Sequence, residues 1–189
     1  MTLHELFHRL YELPSCQGAW EWAQDRQADE AAYLACERGD HLLWIAARLG
    51  VTPAPLVLAA CDCAERVLRF ARPEDMSTLR EALQVTRAYM HNEATLVQVL
   101  NAEWHVVDAT AGVVGVAEWA VESVDAAAKT AALTANAAAH AAWAGSLAVP
   151  WSERTEEHQA QADIVRNYIP WSVIAPLVEG LATEEKRIR

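Results

Sequence analysis

The 189-residue chain is 53% hydrophobic and 22% charged, which excludes an intrinsically disordered protein and fits one globular domain. Its formal net charge of -11 argues against nucleic acid as a ligand, because phosphate binding needs a surface rich in Lys and Arg. No apolar run reaches the roughly 18 residues of a membrane span, and the charged start does not resemble a secretory signal. We therefore expect a cytoplasmic protein with reduced thiols.

The helical spacing of apolar residues, interrupted by Pro and Gly, predicts short amphipathic helices over residues 1–93. These helices are predicted at 3–13, 18–26, 28–37, 41–49, 53–71 and 77–91. Gly39 is expected to end the third helix, Asp40 to cap the start of the fourth and Gly50 to stop it. Thr52 and Pro53 predict another start, because Thr is a favoured N-cap and Pro suits the first helical position.

Residues 94–149 are predicted to form a long alanine-rich helical stretch, since alanine is the best helix former. Thr95 and Gln98 match a capping box at its beginning. We expect Gly112 and Gly115 to mark a kink or a tight turn, because about fifty residues of unbroken helix would be unusual. Small residues let helices approach closely, so this stretch is expected to pack as an interior hairpin.

Two C-terminal helices are predicted over residues 150–183. One covers 152–168, and the other begins at Trp171 and is kinked or restarted near Pro176. No alternation of apolar and polar residues persists long enough for a strand. The sequence therefore predicts an all-α fold, a single domain over residues 1–189, with packed antiparallel helices and a long alanine-rich helical hairpin.

Most motifs of catalysis and metal binding are missing from the sequence. No GxSxG, GxGxxG or P-loop occurs. On a helix, Cys61 and Cys63 point about 200° apart, so they cannot hold one zinc together and are expected to be buried structural thiols. His4 and His8 are four residues apart, and with Glu5 directly after His4 the segment has the letters of HExxH, but we expect a fortuitous surface pair rather than a metal site. We therefore predict no catalytic residues, no metal and no cofactor.

Polar side chains on the alanine-rich stretch are candidate contact residues. Glu118, Glu122 and Asp125 recur at steps of four and three, so they share one face of a continuous helix. They form either a solvated face, with an Asp125–Lys129 ion pair, or an acidic contact surface for a basic protein partner. His140 lies among alanines and would line a groove if the helices diverge there.

The same stretch contains three tryptophans: Trp104, Trp119 and Trp143. Large rings among alanines either fill the gaps between helices or form an aromatic pocket, and we expect core packing. An exposed ring would instead be a binding anchor. Trp119 and Trp143 are candidate binding residues on that second interpretation.

Several segments resemble a family of alanine-rich helical immunity proteins from bacteria and phages. The most specific is ACERGDHLLWIAARL at 35–49. It is followed by LVLAACDCA at 56–64, LREAL at 79–83, ATL at 94–96 and QADIVRNYIP at 161–170, which together span most of residues 16–170. His41 departs from the pattern, because related chains usually have Trp there. The resemblance implies neutralisation of a toxin by binding, with no catalytic residues to carry over.

The leading hypothesis is a non-enzymatic, immunity-like inhibitor that neutralises a toxin or effector by direct binding. An alternative is a protein that sequesters a small nucleotide-like ligand, in which four arginines would meet phosphates: Arg66, Arg69, Arg80 and Arg87. A third hypothesis is a helical scaffold or a subunit of a homo-oligomer. None of the three involves nucleic acid, a membrane or a cofactor.

Overall fold

The computed structural model describes residues 1–10, 22, 26–109, 126, 141, 144, 145 and 147–188. Eight α-helices pack against each other there, and these residues form no strands. The helices are α1 (Leu3–Leu10), α2 (Glu30–Ala35), α3 (Gly39–Arg48), α4 (Pro53–Val67), α5 (Met76–Met90), α6 (Leu96–Ala109), α7 (Arg154–Tyr168) and α8 (Trp171–Ile188). The all-α prediction is confirmed, whereas the predicted alanine-rich hairpin lies mostly outside the described residues.

Local signals set several helix ends where the sequence places them. Gly50 has a φ of 85°, and its left-handed backbone follows the end of α3 as predicted. At the start of α6 the Thr95 amide donates to Gln98 Oε1 at 2.8 Å, and the Gln98 amide donates to Thr95 Oγ1 at 3.3 Å. The predicted capping box is therefore confirmed.

A tight connection joins α5 to α6. Asn92 adopts a φ of 60°, a conformation that Asn tolerates better than most residues. The amide of Asn92 donates to the Tyr89 carbonyl at 3.1 Å, and the amide of Glu93 donates to the Ala88 carbonyl at 2.9 Å. These two bonds form a Schellman motif, which turns the chain directly into α6.

Two predicted caps are wrong. The helix predicted at 28–37 is α2, which ends at Ala35, and Gly39 is the first residue of α3 rather than a C-terminal cap. Asp40 lies in the first turn of α3, where it accepts hydrogen bonds from the Arg38 guanidinium at 2.8 and 2.6 Å. A tertiary contact explains the shift, because Gly39 lies directly against Gln161 of α7.

The helix α7 is central to the packing, since it contacts both α3 and α4. From α4 the packing continues to α5 and then to α6, while α8 contacts α2. Buried aliphatic side chains from these helices form one connected core, which includes Leu42, Leu43, Leu79, Leu83, Ile169 and Ile174. Among the described helices, α6 therefore lies at the end of a series, supported mainly by α5.

The C-terminal part follows the prediction. The helix α8 continues through Pro176, which excludes the restarted alternative and leaves the kinked one. Arg166 of α7 donates to the carbonyl oxygens of Leu34, at 2.9 Å, and Cys36, so it satisfies backbone groups at the end of α2. Of the helices described, none is both long and apolar enough to cross a membrane.

Candidate functional site

The helix α6 carries apolar side chains on two sides. Val99, Ala102 and Val106 are buried. Another five large apolar residues are exposed: Leu96, Val97, Leu100, Trp104 and Val107. The exposed fraction is 65% for Val97 and 71% for Trp104. We call these five residues the α6 apolar face.

The predicted core packing of Trp104 is wrong. Val99, Ala102 and Val106 take the buried side of the helix, and the 3.6-residue period then turns position 104 outward. Contiguous exposed apolar residues are uncommon on monomeric proteins, and large patches mark sites of interaction. A signal was present in the sequence, since apolar residues occupy more of α6 than one buried stripe needs.

A group of titratable side chains lies where α3 meets α7. Burial by itself would raise the pKa of Asp40. The hydrogen bonds and the charge of Arg38, together with His41 and His158, outweigh burial and lower the pKa of Asp40. Burial lowers the pKa of His158 to about 4, and the nearby Arg38 guanidinium acts in the same direction. Burial also lowers the pKa of His41. Both imidazoles are therefore neutral in the folded protein at pH 7.

Acidification is expected to destabilise the fold through these histidines. His158 titrates near 6.5 when unfolded and near 4 when folded, so the unfolded state binds more protons between those values. Stability should be complete above pH 6.5 and fall by about 1–2 kcal/mol as the pH drops towards 4, a figure reduced for partial solvent exposure. Urea unfolding at pH 7.5, 6.0 and 4.5 measures this loss.

The variant His158→Gln is the control for the pH series, because it removes the titrating imidazole and keeps a polar side chain. We expect a shallower pH dependence between 6.5 and 4.5 in this variant. Protonation of Asp40 contributes a separate loss only below about pH 4, since its folded pKa is lowered from 3.8. An identical slope in wild type and variant would contradict the assignment to His158.

Three of the four candidate arginines are engaged in ion pairs. Arg66 donates to both carboxylate oxygens of the buried Glu157, at 2.9 and 3.0 Å. Arg69 lies 3.8 Å from both Glu153 and Glu157. Arg87 contacts Asp62 at 2.7 Å and also Glu65, whereas Arg80 is exposed on α5. Arg66, Arg69 and Arg87 therefore bind carboxylates from their own chain.

The cysteines of α4 are buried, as predicted. Burial raises the pKa of Cys61 to about 12 and raises the pKa of Cys63 further. Both thiols are therefore protonated at pH 7 and poor nucleophiles. Within the described part of the chain, no group of three or more His, Cys, Asp or Glu side chains is placed to hold a metal ion.

A small apolar cavity lies between α1, α2, α3 and α8. Its lining includes Leu6, Tyr33, Leu42, Trp171 and Ile174. Its volume of about 20 Å³ suits little more than a single water molecule, so it is too small for a metabolite. This cavity is a packing gap of the core.

Six of the candidate binding residues lie outside the described residues. They are Glu118, Trp119, Glu122, Asp125, His140 and Trp143. The acidic contact surface and the aromatic pocket that they would form remain predictions.

Comparisons of the chain with protein-family models, with curated proteins and with solved structures gave no significant match. The resemblance to alanine-rich immunity proteins accordingly stays a prediction.

Proposed function

We propose that the protein is a non-enzymatic binding protein that inhibits or sequesters another protein through the α6 apolar face. The observation that carries this proposal is Trp104, 71% exposed within a row of exposed apolar residues on one helix. Tryptophan is the residue type most enriched among the energetic anchors of protein interfaces. The immunity-like role implied by the sequence resemblance fits the same mode of action.

The spacing of the apolar residues supports this proposal. Val97, Leu100, Trp104 and Val107 follow steps of three, four and three, which aligns them along one side of the helix. A contact that covers this side would bury one tryptophan and several aliphatic side chains together. Burial of that kind is the main favourable term in protein association.

Sequestration of a nucleotide has weaker support. Phosphate recognition needs cationic groups that are free to meet the ligand. Arg66, Arg69 and Arg87 are already engaged with carboxylates, and Arg66 binds Glu157 through two hydrogen bonds. We therefore favour a protein as the partner.

Site-specific photocrosslinking tests the proposal. Benzoylphenylalanine is placed at position 104 in one sample and at position 151 in another, and each protein is irradiated in lysate of its native host. Trp151 is a matched control, because it is 82% exposed and lies outside α6. We expect a discrete protein adduct from position 104 and none from position 151.

The adduct partner, identified by mass spectrometry, is then titrated with Trp104→Ala and Trp151→Ala. Loss of an anchor tryptophan should weaken binding by about 2 kcal/mol or more, whereas Trp151→Ala should leave it unchanged. Both variants should keep the wild-type unfolding midpoint, because both rings are exposed. Equal affinity of Trp104→Ala and wild type, or identical adducts from both positions, would overturn the proposal.

A further inference from the structure

The α6 apolar face has the periodicity of a helix-pairing seam. Val97 and Trp104 are seven residues apart, as are Leu100 and Val107, so these four side chains occupy the a and d positions of two heptads. The face spans residues 96–107, about 17 Å at a rise of 1.5 Å per residue. A partner helix of about three turns would cover it.

The charges of α6 lie beside this seam. In the same heptads Glu103 occupies a g position and Asp108 an e position, and the helix contains no Lys or Arg. On a helical wheel the exposed apolar residues fill an arc of about 100°, with Asp108 about 20° beyond one edge and Glu103 about 20° beyond the other. Both edges of the seam are therefore acidic.

Acidic edges select the charge of the partner. Residues at e and g positions pair across the interface and determine which helix is accepted. In a parallel pair of two copies, Glu103 would face Asp108 of the other copy, and in an antiparallel pair each carboxylate would face its own equivalent. Two chains that each carry a net charge of -11 also repel one another over a longer range.

We infer that the α6 apolar face docks an amphipathic helix of a partner protein, with an apolar seam flanked by Lys or Arg. This inference rests on the proposed protein-binding function and adds the chemistry of the partner. The basic side chains would meet the exposed Asp108 at one edge, while the apolar seam covers Trp104. Such pairing gives register and selectivity in addition to the apolar contact.

Model peptides test the inference. Three fluorescent 14-residue peptides are compared by anisotropy at 150 mM salt: a Leu/Lys peptide with leucines at a and d, a Leu/Glu peptide of the same pattern, and a scrambled Leu/Lys peptide. We expect the patterned Leu/Lys peptide to bind about tenfold more tightly than either control. Asp108→Lys should weaken the Leu/Lys complex and strengthen the Leu/Glu complex.

The tryptophan variants separate docking from general charge attraction. Trp104→Ala should weaken the patterned Leu/Lys complex at least tenfold, and Trp151→Ala should not change it. Equal binding of the Leu/Glu peptide, or insensitivity to Trp104→Ala, would overturn the inference. Sedimentation equilibrium supplies the remaining outcome, since a dimer abolished by Trp104→Ala would make a second copy the occupant and overturn it as well.

The two proposals fail in different ways. Position-104 adducts that map to a strand or a loop of the partner would contradict the basic helix and leave the binding function intact. Lack of any partner that depends on Trp104 would contradict the binding function itself.

Discussion

The variant Arg66→Ala should lower the free energy of unfolding by about 3 kcal/mol. Glu157 is 1% exposed and receives two hydrogen bonds from the Arg66 guanidinium, at 2.9 and 3.0 Å. Removal of Arg66 leaves this carboxylate in the protein interior with only Arg69, at 3.8 Å, as a described cationic neighbour. An uncompensated buried charge is among the most destabilising changes a single substitution can make. Urea unfolding at pH 7 measures the loss.

Arg69→Ala is the matched control, because Arg69 lies one helical turn from Arg66 and its side chain is 54% exposed. Its removal should cost no more than about 1 kcal/mol, as for other exposed ion pairs. The double variant Arg66→Met, Glu157→Leu should recover most of the lost stability, since it removes both charges and keeps the volume. Similar losses for Arg66→Ala and Arg69→Ala would contradict the structural role of the buried pair.

Gly39→Ala should also be destabilising, by about 3 kcal/mol. A Cβ atom at position 39 would lie 2.7 Å from Gln161 Cβ and 2.8 Å from the Gln161 carbonyl carbon. The second of these atoms belongs to the backbone, so α3 and α7 would have to move apart. That separation would disturb the contact on which the centre of the core depends.

Gly180→Ala provides the opposite control. Gly180 lies within α8. Apart from its chain neighbours and the backbone of its own helix, no atom lies within 4 Å of the Cβ that alanine would add. Alanine has the higher helix propensity, so this variant should be more stable than wild type by about 0.5–1 kcal/mol. Thermal unfolding of both variants measures these changes in stability. A neutral or stabilising Gly39→Ala would show that α3 and α7 do not need their close approach.

Much of the helical pattern was predictable because its causes are local. The capping box at Thr95 and Gln98 and the helix stop at Gly50 each depend on groups within a few residues of the chain. The burial of Cys61 and Cys63 follows from an apolar run on α4. The predicted caps were wrong where one residue type suits two roles. Gly39 allows a close contact between helices and does not cap one.

The candidate site was harder to predict. The α6 helix has apolar residues on more than one side, and periodicity alone does not say which side meets the rest of the protein. Arg66, Arg69 and Arg87 also lacked any sequence signal for their partners. Glu157 is 91 residues from Arg66 along the chain, so only the folded arrangement brings them together.

The sequence by itself determined that this protein is built from helices, where most of the described helices begin and end, and that its surface is acidic. Those properties follow from composition and from hydrogen bonds between near neighbours in the chain. Only the tertiary structure decided that α3 meets α7 at Gly39, that Arg66 neutralises Glu157, and that Val99, Ala102 and Val106 lie on the buried side of α6. Because a helix buries only the side that meets a neighbour, that choice of side leaves Trp104 exposed.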